Sequence, residues 1–262
     1  MAKNNEETGG LLTFGGHLEV LRLMLFRILS VTGVAAAVVF CMKDTVWRLL
    51  LAPSEWKFVT YRLIERTAHA AGFSEFHFNE YHVDLIATNL SSQFMTHVTT
   101  SVYLGLLCAS PYILYEMFRF ISPALYENER RYSVYTLFVV YALFILGILM
   151  SYYVLFPISF RFLGTYSVAE KVHSTITLDS YISTFTTLIL LMGVVFQLPV
   201  IAYALGKMGL ITSRMLSRYR KHAFMVIMVV AAAITPPDLM TLVLVTIPLY
   251  LLYEVSIMVV RS

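Results

Sequence analysis

The sequence predicts an all-α, polytopic membrane protein with six transmembrane helices and both termini on the cytoplasmic side. Three observations lead there. Of 262 residues, 58% are hydrophobic and only 13% charged, a membrane-type balance. The apolar residues run in long blocks rather than in an amphipathic scatter. Blocks such as "YALFILGIL" do not alternate in polarity, as the roughly ten-residue strands of a membrane β-barrel would.

A helix needs roughly 20 mostly apolar residues to cross the hydrocarbon layer. The first candidate is about Leu23 to Met42, and its "VTGVAAAVVF" could pass for a signal peptide. A long, mostly polar segment precedes it in place of a short basic region, so it reads as an uncleaved span. The external stretch from about Lys43 to Leu90 is too long for a structureless connection, and short amphipathic helices on the membrane surface are expected there. Spans two to four are about Ser91 to Phe118, Tyr132 to Phe156 and Ser180 to Leu205, with a second external loop at Pro157 to Asp179. The fifth, about Tyr219 to Ile234, is short, because only Ala223 to Ile234 is continuously apolar. The sixth is about Leu239 to Val260. No repeat or linker divides the chain, so residues 1–262 read as a single membrane domain.

Prolines punctuate these spans. Pro111, Pro199 and Pro248 lie inside helices and Pro157 ends the third; each removes a backbone donor and clashes with the preceding turn, so each marks an expected kink. Between the fifth and sixth spans the chain reads "ITPPDLMTL". Thr235, preceding a proline, is pushed out of the α region. Thr235 or Pro237 can then precede the sixth helix, with Asp238 in its first turn, where a carboxylate suits the positive end of the helix dipole. Two short spans joined by this tight external hairpin would thin the bilayer locally or bury their ends in protein.

Lys and Arg near the span ends set the orientation. With the N-terminus inside, the cytoplasmic side holds Lys3, Arg22, Arg27, Arg119, Arg130, Arg131, Lys207, Arg214, Arg218, Arg220, Lys221 and Arg261. The opposite side holds Lys43, Arg48, Lys57, Arg62, Arg66, Arg161 and Lys171, most of them in or beside the long loop. Cys41 and Cys108 fall inside predicted helices and read as buried small residues. The net charge of +3 is spread out, without the basic run that tracks nucleic acid. The seven histidines form no metal-ligand spacing, and no phosphate loop is present, so neither a metal, a cofactor nor an enzymatic activity is expected. A secondary transporter of a small molecule is the alternative from another class, but such proteins tend to show repeats and ionisable groups near the midplane.

Some polar residues stand out against this apolar ground. Gln197 in "GVVFQLPV" either ties two helices together or offers an amide to a partner's membrane helix. Glu19 in "HLEVLR" and Glu129 in "LYENERR" are acids beside cytoplasmic helix ends; exposed acids are ordinarily just solvated.

Four stretches carry a resemblance: "HLEVLRLMLFR", "SPYILYEMFRFISPALYENERR", "GVVFQLPV" and "ITPPDLMTLVLVTIPLYLLYE". In order and position they resemble the signature stretches of the TatC family, the multispanning receptor subunit of the twin-arginine protein translocase. The resemblance implies a glove-shaped six-helix protein of the bacterial cytoplasmic membrane, binding signal peptides of folded cargo. It also implies single-span TatA-type and TatB-type partners, a homo-oligomeric receptor complex and transport driven by the proton motive force. By position in the motifs, Glu129 matches the signal-contacting acid, flanked by Phe120 and Tyr126, while Glu19 and Arg22 fall in the N-terminal motif. Gln197, Thr235, Asp238 and Thr241 fall where partner-subunit contact is expected. Planar guanidinium forks bind carboxylates bidentately, which suits a signal carrying paired arginines.

The chain departs from the family pattern in places. An acid usually directly precedes the Leu–Arg pair, whereas here Val20 does and the acid is Glu19, about 100° away around a helix. Gln197 stands where Glu is frequent, keeping hydrogen bonds but unable to ionise. Leu242 replaces a polar residue found in some relatives, leaving contact there to Thr235, Asp238 and Thr241.

Overall fold

The computed structural model describes residues 14–70, 85–121, 130–166, 175–235 and 237–261. Helix α1 (Phe14–Cys41) leads into α2 (Lys43–Leu51), a 3-10 turn at Ala52–Ser54 and α3 (Val59–Ala70). A two-residue strand β1 (Leu85–Ile86) precedes α4 (Ser92–Ile121). Helix α5 (Arg130–Met150) runs through a π-helical turn, Ser151–Leu155, into α6 (Phe156–Thr165). After β2 (Ile176–Thr177) come α7 (Leu178–Val195), α8 (Leu198–Lys207), the short α9 (Ser213–Arg218), α10 (Arg220–Ile234) and α11 (Leu239–Arg261). The all-α expectation holds; among the described residues the strands β1 and β2 pair in parallel over two residues each, Leu85 with Ile176 and Ile86 with Thr177.

Among the described residues, five stretches are long and apolar enough to cross a membrane: Leu18–Cys41, Ser92–Phe120, Tyr135–Thr165, Leu178–Lys207 and Leu239–Val260. The remaining expected span is α10, with 15 residues. At 1.5 Å per residue it is about 22 Å long, short of a hydrocarbon layer of roughly 30 Å. The shortness read from the sequence is therefore a property of the helix itself.

Neighbouring helices meet through small residues. A Cβ added to Gly105 of α4 would lie 2.6 Å from Ala36 Cα of α1, and one on Gly147 of α5 would lie 2.6 Å from the Met192 carbonyl oxygen of α7. Lipid is as apolar as leucine, so helix association there relies on such close backbone packing. The main core joins Leu155, Phe156, Phe185, Leu188, Met192, Ala231, Val245 and Leu249. Helix α1 stands largely outside it and leans chiefly on α4. Cys41 and Cys108, expected to be buried, are instead exposed. A small, weakly polar thiol is tolerated on a face turned to lipid.

The prolines act differently from one another. Helices α4 and α11 continue through Pro111 and Pro248 without a break, whereas the fourth span is interrupted at Phe196–Gln197, just before Pro199. Ahead of Pro157 the helix widens into the π turn, which accommodates the ring. Pro157 cannot donate to the Tyr153 carbonyl, and the Thr60 hydroxyl of α3 donates there instead.

This contact is one of several that seat α2 and α3 on the spans. The last carbonyls of α2, which lack helical donors, accept from tyrosine hydroxyls: Tyr152 to Leu49 at 2.9 Å and Tyr181 to Leu50 at 2.8 Å. Tyr61 of α3 donates to the Pro157 carbonyl at 2.8 Å. Leu50 and Tyr61 are buried, so these amphipathic helices, expected to lie on the membrane surface, turn apolar residues onto protein. Asp179, at the start of α7, accepts from Ser92 at 2.5 Å and from Thr96, both of α4.

At the opening of α11, Asp238 Oδ1 accepts from the Thr241 backbone N–H at 2.6 Å. Asp238 is thus the residue just before the helix rather than part of its first turn, because a short carboxylate there reaches an N–H that the helix leaves unpaired. Thr235 is extended, with φ −91° and ψ 155°, as its position before Pro236 requires.

Candidate functional site

The N-terminal half of α1 and the C-terminal half of α4 enclose a cavity of about 260 Å³. Val20, Leu23 and Met24 form its apolar wall on α1, one turn apart, with Arg27 beyond them. From α4 come Glu116, Arg119 and Phe120. Glu116 is buried; its Oε1 accepts from the Tyr112 hydroxyl at 2.9 Å and lies 3.7 Å from Arg27 Nη1. The Tyr112–Glu116 bond follows from i,i+4 spacing on one helix face.

Of the residues expected to contact a signal peptide, Phe120 is brought into this cleft. Glu19 and Arg22 are exposed and form no part of its wall. The Arg22 guanidinium lies 5.6 Å from the centre of the Phe26 ring, four residues on, along the outer face of α1. Tyr126 and Glu129 lie outside the described residues.

The expected partner-contact residues divide into two places. The Gln197 amide sits at the break in the fourth span and donates to the Val140 carbonyl of α5 at 3.0 Å. Thr235, Asp238 and Thr241 gather at the turn between α10 and α11. The Thr235 hydroxyl is turned back onto the Ala231 carbonyl at 3.0 Å. Asp238 Oδ2 and Thr241 Oγ1 are buried and without a hydrogen-bond partner among the described residues.

Two charged residues escaped the sequence reading as site residues, Arg27 and Glu116. Each interrupts an otherwise apolar run, and that interruption is the signal that could have found them. Their pairing across two helices separated by a long loop is not written in either run. A comparable pair closes α10 against α11, where Arg220 meets Glu254 at 2.8 Å and Tyr250 donates to the same carboxylate at 3.1 Å.

A family model described as "Sec-independent protein translocase protein (TatC)" matches residues 16–248. The chain belongs to the TatC family. It is 35% identical over 248 residues to the TatC protein of Blattabacterium sp. subsp. Periplaneta americana (strain BPLAN), covering 93% of each chain. With the TatCy protein of Bacillus subtilis (strain 168) it shares 36% identity over 178 residues, 68% of this chain and 70% of that one. A crystal structure of the twin arginine translocase receptor TatC superposes with a TM-score of 0.75 at 31% identity, covering 93% of this chain and 97% of the other. The same receptor in DDM gives 0.76 at 30% identity. With five stretches of spanning length among its described residues, this TatC-family chain is a multi-pass membrane protein and a component of a protein-transport system. Within it, Val20 joins the cleft wall and Glu19 does not.

Proposed function

We propose that this chain is the receptor subunit of a twin-arginine protein translocase in the bacterial cytoplasmic membrane. It binds the twin-arginine signal peptides of folded cargo at its cytoplasmic face through Glu129, Glu19, Arg22, Phe120 and Tyr126. TatA-type and TatB-type single-span subunits dock near Gln197, Thr235, Asp238 and Thr241, and the proton motive force drives transport. Six spans, the short α10 among them, place both termini in the cytoplasm, in one membrane domain that associates with further copies of itself.

The observation that carries this reading is TatC membership over residues 16–248, joined to a cleft of mixed apolar and charged walls at the end of α1 where the N-terminal motif lies. A signal peptide presents both chemistries, an arginine pair beside an apolar stretch, and carboxylates hold guanidinium forks bidentately. At the α10–α11 turn, two buried polar atoms without partners among the described residues are free for a polar group of a neighbouring helix.

The experiment is site-specific photocrosslinking of a twin-arginine signal peptide to the chain in membranes containing its small subunits. Glu129→Gln is expected to reduce the crosslink strongly, since losing a charge-assisted hydrogen bond costs roughly 1.5 to 3 kcal/mol, about tenfold or more in affinity. Undiminished crosslinking would remove this acid from the site.

A further inference from the structure

Glu116 is the buried acid of the α1–α4 cleft, only 6% exposed. A carboxylate taken out of water needs a close cation or several donors. Its fixed hydrogen bond comes from a neutral group, the Tyr112 hydroxyl at 2.9 Å. Its cation, Arg27, stays 3.7 Å away on a side chain that is 53% exposed, beyond the 2.7–2.9 Å usual for a charge-assisted N–H···O bond. The ion pair is therefore loose, and its mobile member faces water.

We propose that Glu116 is a specificity-determining carboxylate of the signal-peptide site, receiving one guanidinium of the arginine pair, with Arg27 as the placeholder that the incoming arginine displaces. The inference rests on the receptor reading above and deepens it. Among the described residues, the cleft carries two guanidinium groups, of Arg27 and Arg119, against one carboxylate. It repels a further cation until Arg27 swings outward, and becomes neutral in itself once it does. The exposed position of Arg27 permits that movement without disturbing the packing of α1 on α4. Met24 on the same wall is buried, as is Glu116 itself, so a guanidinium that reaches this carboxylate is screened less by water than one at an exposed acid. Glu19, outside the wall, has no such shelter.

The test measures binding of a fluorescent peptide carrying paired arginines, and of the same peptide with paired lysines, to the full chain with its small subunits in lipid nanodiscs. Glu116→Gln keeps an acceptor for Tyr112 and removes the charge; it should weaken the arginine peptide roughly tenfold and shrink its preference over the lysine peptide. Arg27→Gln should do the reverse and tighten the arginine peptide severalfold, and that gain should vanish in the Glu116→Gln background. If Glu116→Gln binds unchanged while the wild type still prefers arginine, this proposal is overturned and the receptor reading stands. If the wild type does not distinguish the peptides, the receptor reading itself falls. Should Glu116→Gln fail to fold, Arg27→Gln decides alone, and unchanged or weaker binding there overturns the placeholder.

Discussion

Thr60 shows how one side chain can complete a backbone that a proline has opened. Pro157 deprives the Tyr153 carbonyl of its helical donor, and the Thr60 hydroxyl takes over. Thr60 is buried, so water does not replace it freely. Thr60→Val should cost about 1–3 kcal/mol through an unsatisfied carbonyl and lower the thermal unfolding midpoint in detergent. In a Pro157→Ala background the backbone regains an N–H, and Thr60→Val should then cost distinctly less. Equal losses in both backgrounds would show that the hydroxyl does not answer the proline.

For whole helices, the seam between α1 and α4 turns on which glycine faces which neighbour. At Gly105 the nearest atoms to an added Cβ are Ala36 backbone, which cannot rotate away. Gly105→Val should force the two helices apart and destabilise the chain by about 1–3 kcal/mol. Gly33 of α1 has nothing within 4 Å, so Gly33→Ala should be neutral or stabilising by up to about 1 kcal/mol, because glycine is a poor helix former. Thermal unfolding of the two variants side by side checks the contrast. The same seam carries the Phe40–His97 stack, with ring centres 4.4 Å apart, and the Arg27–Glu116 pair, so a wider seam also opens the cleft.

For the molecule as a whole, the short α10 and the distribution of Lys and Arg make a joint statement about the membrane. If the N-terminus is cytoplasmic, Pro237 sits at the outer end of the α10–α11 hairpin and Met215, in α9, at the inner side. A helix of about 22 Å cannot reach both faces of a 30 Å layer without thinning it. In cells carrying Cys41→Ser and Cys108→Ser, a membrane-impermeant maleimide should label Pro237→Cys and spare Met215→Cys. The opposite pattern would invert the topology, and protection of both would put the hairpin inside the layer.

Much of the fold is legible in the sequence because lipid imposes its demand locally. Each spanning helix must be apolar along its own length, so block lengths, the shortness of α10 and the proline-set turn with Asp238 are written in consecutive residues. The candidate site is legible only in part. Motif positions name Glu19, Arg22 and Phe120, but of these only Phe120 lines the cleft; Arg22 lies against Phe26 on α1, and Glu19 sits one turn before Leu23 and is exposed. What the tertiary structure alone decides is pairing between distant segments: Thr60 with Tyr153, Tyr181 with Leu50, Gly105 with Ala36, Glu116 with Arg27. Those contacts depend on helix rotation and crossing, which packing sets and which no apolar run records. The sequence by itself determines that this is a membrane helical protein of the TatC family; only the tertiary structure decides which of its charged residues share a cavity.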